Sequence, residues 1–177
     1  MTKKAKASET VCPVARSTAL IGDRWTILII RELFSGCTRF DDIQAQTDAT
    51  AQMLAARLKQ LEADGLVERR AYSERPLRYE YVLTEMGRAF YPVISAYRAW
   101  GEMWCKSPDE PQAVHSFHRK CGAEIGLDGI CPVCKELVVR SDMDSRPGPE
   151  WTEERRLRQE AHKEQIRQRT QKAASSG

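Results

Sequence analysis

Apolar residues recur at helical spacing through the first part of the chain and then, from Leu66, switch to the two-residue alternation of strands. Pro13 suits the first turn of a helix that Val14, Ala15, Thr18, Leu20 and Ile21 carry to a stop at Gly22. Asp23 is placed to cap a second helix, since its carboxylate can accept from the free amides of the next turn. Trp25, Ile27, Leu28, Ile29, Ile30, Leu33 and Phe34 make that helix apolar nearly all round, which predicts the buried centre of a domain. Ser35-Gly36 breaks the pattern, and a short third helix runs from about Arg39 to Ala45, with Phe40 and Ile43 on its inner side. Thr50 caps a fourth, Ala51 to Asp64, in which Leu54, Leu58 and Leu61 recur at i, i+4 and i+7 and Gly65 closes the helix.

The stretches 66–72 and 78–83 then predict a β-hairpin around a Ser73-Glu74-Arg75-Pro76 tip. Thr84 opens a long helix reaching Trp104, striped by Phe90, Val93, Ile94, Tyr97, Trp100, Met103 and Trp104, with Pro92 as its kink site. Such a helix overhangs one small domain. Leaving Trp100, Met103 and Trp104 in water costs about 1.5–3 kcal/mol each, so a second subunit, or else the following segment, is expected to cover them. The fold class is mainly α with a small β-hairpin wing, a winged helix-turn-helix followed by a small zinc-ribbon-like C-terminal module. The expected divisions are a disordered start (1–10), the winged-helix domain (11–106), a polar linker (107–114), the ribbon-like module (115–146) and a charged tail, helical or disordered (147–177).

Three helices and a hairpin in this order are the outline of a DNA reader whose fourth helix enters the major groove. With the leucines inward, Thr50, Gln52, Met53, Ala56, Lys59 and Gln60 face outward. Gln pairs bidentately with adenine, and Met or Ala can touch a thymine methyl, so Gln52 is the chief base-reading candidate. Arg75 and Arg78 on the hairpin, and Arg39 before the third helix, are placed for phosphates or a narrow minor groove. The net charge of +3 permits this partner without requiring it, because a few phosphate contacts need only a local basic patch. The bland counterpart is an ordinary solvated surface.

Those same stretches resemble the HxlR-type regulators, relatives of the MarR group. The resemblance rests on Cys12-Pro13-Val14-Ala15, Gly22-Asp23-Arg24-Trp25 through Leu33, Arg39-Phe40-Asp41-Asp42-Ile43, Leu54 with Arg57-Leu58, Leu61 through Arg69, and Tyr79 through Gly87. It covers about Cys12 to Trp104. It implies a homodimeric bacterial transcription factor that binds double-stranded DNA, paired through the first helix and the long helix after the wing. The family's turn before the fourth helix often carries Ser-Pro where this chain has Thr50-Ala51, a change that bears on operator choice. Some redox-sensing members carry a cysteine where Cys12 stands, so a redox signal at Cys12 or a small-molecule effector is the expected control.

Six cysteines without a secretory leader, three of them clustered, favour a metal over disulfides. His118-x-x-Cys121 and Cys131-x-x-Cys134 are two ligand pairs at zinc-knuckle spacing, with His115 a rival to His118. Four soft protein ligands leave no open position, so the expected zinc is structural; reduced thiols or a disulfide are the alternatives. Similar His-x-x-Cys-Gly and Cys-x-x-Cys tails occur in some HxlR-like chains. The charged stretch Thr152 to Lys172 is expected to be a solvated helix or a phosphate-contacting arm.

No apolar run approaches a membrane span, and the chain is expected in the cytoplasm. No nucleophile paired with a base and no phosphate loop points to an enzyme. The rival of another class is a protein-interaction module that docks on the transcription machinery without reading DNA sequence.

Overall fold

The computed structural model describes residues 10–175, and the expected disordered start up to residue 9 lies outside the described residues. The chain forms two compact units, one taking in residues up to Phe90 together with those from Ala161 onward, the other spanning Tyr91–Glu160.

In the first unit, α1 (Pro13–Ile21) starts on Pro13 and ends at Gly22. Asp23 caps α2 (Arg24–Phe34) through the amides of Trp25 and Thr26. The centre of α2 is buried as its apolar run predicts, with Ile29 and Ile30 at 0% exposure. It also buries Glu32, whose carboxylate accepts from Arg31 Nε at 2.8 Å, while Arg31 Nη2 reaches the Gln46 carbonyl at 3.1 Å. A buried charge persists only when paired and hydrogen-bonded, and Arg31 supplies both.

Next come α3 (Phe40–Thr47) and α4 (Ala51–Ala63), both packed on α2. Ile43 of α3 and Leu54, Leu58 and Leu61 of α4 complete the core. Gly65, at φ +76°, turns the chain out of α4 in a conformation that side chains resist. Strands β1 (Val67–Glu74) and β2 (Leu77–Leu83) pair antiparallel from Val67 opposite Leu83 to Glu74 opposite Leu77, with a bulge between Ala71 and Ser73. The Tyr81 amide donates to the Thr38 carbonyl at 2.7 Å, so the segment before α3 lines the free edge of β2 and anchors the wing.

The single long helix expected from Thr84 to Trp104 is instead two. A short α5 (Glu85–Arg88) ends before α6 (Tyr91–Trp104) begins. The reason is Pro92: it has no amide to donate, and its ring would press on the Arg88 carbonyl four residues back. In the first turn of a new helix neither matters. Gly87 seats α5, since a Cβ there would lie 2.1 Å from the Leu66 carbonyl oxygen.

The second unit joins α6 to a small module. Strands β3 (Val114–His118) and β4 (Met143–Pro147) pair antiparallel with Ser116 opposite Ser145, a short 3₁₀ turn (Arg140–Asp142) leads into β4, and α7 (Pro149–Ser175) follows, belonging to this unit as far as Glu160. The module core is Ile125, Cys131, Val138 and Met143. The charged stretch is therefore helical, held along its surface by Arg156 with Glu153 and Glu160 and by Arg158 with Glu154. No described helix is long and apolar enough to cross a membrane.

Candidate nucleic-acid interface and metal centre

Helix α4 carries two opposed faces. Leu54, Leu58 and Leu61 are at most 2% exposed, and Gln52, Met53, Ala56, Lys59 and Gln60 lie exposed on the other side. The Thr50 hydroxyl oxygen accepts from the Met53 amide at 3.2 Å, which satisfies the helix start and directs the exposed first turn. Gln60 Nε2 donates to the Asp64 carboxylate at 2.9 Å, so Gln60 is occupied by its own helix while Gln52 is not. Lys59, Arg75 and Arg78 are exposed and make no ion pair among the described residues.

Two site features escaped the sequence pattern. Arg57, on the flank of α4, lies with Nε 3.4 Å from Asp23 Oδ1. Asp23 also accepts from the Trp25 amide at 3.0 Å, the Thr26 amide at 3.1 Å and the Thr26 hydroxyl at 2.5 Å. Partial burial works to raise the Asp23 pKa, but the Thr26 hydroxyl and amide, Arg57 and the Trp25 amide together hold it below the usual 3.8. The second is an aromatic shelf on the wing: the Arg39 guanidinium stands 4.8 Å above the Tyr72 ring, and Arg69 stands 4.2 Å above Tyr79. The Arg31-Glu32 dipeptide inside an apolar helix was a visible hint of a buried pair. Nothing local in the sequence pointed to Arg57 or Tyr72, because their partners are 34 and 33 residues away in the chain.

In the module, His118, Cys121, Cys131 and Cys134 place their ligand atoms within 4.8 Å of one another. Cys121 Sγ lies 3.5 Å from both His118 Nδ1 and Cys131 Sγ. A tetrahedral zinc–thiolate site, with bonds of about 2.3 Å, separates its sulfurs by about 3.8 Å, so the donors fit such a cation in type and spacing. His115 is not among them; its Nδ1 meets Glu124 Oε1 at 2.6 Å.

The two ligand pairs are built alike, thirteen residues apart. The His118 amide donates to Ala123 O and the Cys131 amide to Glu136 O; the Gly122 amide returns to His118 O and the Lys135 amide to Cys131 O. Bridges Phe117–Glu124 and Ile130–Leu137 flank the two turns. Gly122 (φ +72°) and Lys135 (φ +60°) occupy the matching left-handed position. At the second pair a lysine takes the place where glycine is at ease, which a search for sequence repeats does not reveal. The Cys134 amide donates to Cys131 Sγ at 3.3 Å and brings the Cys131 thiol down to about 6, while the hydrogen bond that the Cys134 thiol donates to Cys121 pushes Cys134 up to about 11. Neighbouring thiols oppose each other's ionisation until a cation balances them. The group can therefore hold a metal ion.

The chain matches the HxlR-like helix-turn-helix family over residues 20–109. It is 35% identical over 136 residues to Rv3095, an uncharacterised HTH-type transcriptional regulator of Mycobacterium tuberculosis, covering 77% of this chain and 85% of that one. It resembles the crystal structure of PA1607, described as a putative transcription factor, with a TM-score of 0.62, 33% identity and coverage of 78% of this chain and 96% of that one. The reduced form of the redox regulator HypR aligns with a TM-score of 0.50 and 34% identity, covering 52% of this chain and 92% of that one. With a polar-faced α4, a hairpin wing and these matches, the chain belongs to the HxlR-like helix-turn-helix family and is a DNA-binding transcription regulator.

Proposed function

We propose that two copies of the chain pair through α1 and α6 and set their α4 helices into successive major grooves of a pseudo-palindromic operator. The observation that carries this reading is the division of α6 into two faces. Tyr91 and Arg98 turn to the cysteine-bearing module, where they bond Met143 and Ser116, and Glu102 bonds Ala113 in the segment leading into it. Val93, Tyr97, Trp100 and Trp104, half a turn away, are 40–69% exposed. The module thus takes the side of α6 that the apolar stripe does not occupy, and a second copy is the natural cover for the stripe.

In this arrangement Gln52, Met53 and Ala56 read bases, and Thr50, Lys59 and Gln60 support them or contact phosphate. Arg75, Arg78 and the Tyr72-backed Arg39 grip the flanking backbone. His118, Cys121, Cys131 and Cys134 hold a structural zinc, which supplies the cross-link that so small a core lacks. Control is exerted on the exposed Cys12 thiol, which precedes the first turn of α1, by oxidation, or by a small-molecule effector. The protein acts in the cytoplasm as a regulator and not as an enzyme.

Sedimentation of the purified chain with footprinting on its own promoter tests this reading. A dimer protecting two half-sites about one helical turn apart supports it. A monomer that protects no DNA and travels with RNA polymerase supports the interaction-module rival.

A further inference from the structure

We propose that the His118–Cys121–Cys131–Cys134 centre is a brace for α6, so that metal occupancy governs how strongly two copies of the chain associate. The inference rests on the dimer reading above and adds its regulation.

Helix α6 has no buried residue of its own, and a helix of 14 residues is marginal without tertiary support. Its described support within this unit comes at three heights, two from the module and one from the segment that leads into it. At the first turn the Tyr91 hydroxyl donates to Met143 Sδ at 3.0 Å, and the Arg140 guanidinium covers the ring at 5.5 Å. In the middle Arg98 Nη1 donates to Ser116 Oγ at 3.1 Å. Near the end Glu102 accepts from the Ala113 amide at 3.0 Å and from Lys106 Nζ at 2.9 Å.

The first two of those anchor points are built on the metal ligands. Ser116 and His118 stand two positions apart on β3 and so share a face; both are buried, one receiving Arg98 and the other facing the thiols. Cys131 is at once a ligand and a member of the small core with Ile125, Val138 and Met143, against which Tyr91 and Cys134 pack. A core of that size does not hold a fold by itself, and in such modules the binding energy of the metal is folding energy. Removing the ion therefore loosens Met143 and Ser116, and with them the side of α6 that keeps its apolar side presented.

The test uses the full-length chain loaded with zinc, the same protein stripped by a chelator, and two variants, Cys121→Ser and Arg98→Ala. Sedimentation reads the dimer dissociation constant, and hydrogen exchange reads protection of residues 91–104. Stripping the metal, or Cys121→Ser, is expected to raise the dissociation constant about tenfold or more, as the competent fraction falls, and to lower protection of α6. Arg98→Ala is expected to keep its zinc and still weaken association, because it cuts the tether and spares the ligands. Unchanged association and unchanged α6 protection in the stripped protein overturn the proposal. A zinc-loaded wild type that stays monomeric overturns the dimer reading instead, and α6 protection still reports on the brace.

Discussion

Asp23 and Arg57 form an ion pair, 3.4 Å from Oδ1 to Nε, that ties the cap of α2 to the flank of α4. The residue that starts the central helix therefore also steadies the helix that presents Gln52. Both ends of the pair are partly exposed, so its weight lies less in Coulomb energy than in sharing one carboxylate among Trp25, Thr26 and Arg57.

Asp23→Ala removes the cap and the pair together and is expected to cost about 1–2 kcal/mol in urea unfolding at neutral pH. The folded carboxyl titrates below its ordinary 3.8, so its contribution is present above that value and is lost as pH falls through the lower folded value. The gap between wild type and variant should close on acidification below 3.8. Equal stabilities at pH 7 would count against the role given to Asp23.

Gly87→Ala should destabilise the first unit by about 1–3 kcal/mol, since the new methyl meets a backbone oxygen that no rotamer change can move. The contact is 2.1 Å to Leu66 O. Thermal unfolding measures it, and a variant as stable as wild type means that α5 sits further from Leu66.

For DNA, Gln52→Ala should weaken the operator complex by about 1–3 kcal/mol and relax sequence choice, whereas Arg75→Ala should weaken all sequences alike and flatten the salt dependence. Mobility shifts at several fixed salt concentrations separate the two. If Gln52→Ala leaves discrimination intact, bases are read elsewhere on α4.

Trp100→Glu puts a charge on the exposed side of α6, where Trp100 is 61% exposed in the single chain. The variant should sediment as a monomer while keeping its metal content, because the described bonds between the module and α6 lie on the opposite side of the helix. A dimer of wild-type strength would place the interface elsewhere.

The sequence by itself determined the local elements. Asp23 and Thr50 cap their helices, Leu54, Leu58 and Leu61 turn inward, the strands alternate, and His118-x-x-Cys121 and Cys131-x-x-Cys134 each close a tight turn. Each of these depends on residues within a few positions of one another, where helix, strand and turn periods act directly. Only the tertiary structure decided the rest. Glu32 was buried because α2 lies at the centre with Arg31 to pair it, and Arg57 and Arg39 found Asp23 and Tyr72 across more than thirty residues. The same holds for α6, whose stripe stayed uncovered because hydrogen bonds and the Tyr91 ring drew the module to the opposite side. A hydrophobic period specifies which residues seek cover, but what covers them is settled by the contacts that the folded chain can make at the same time.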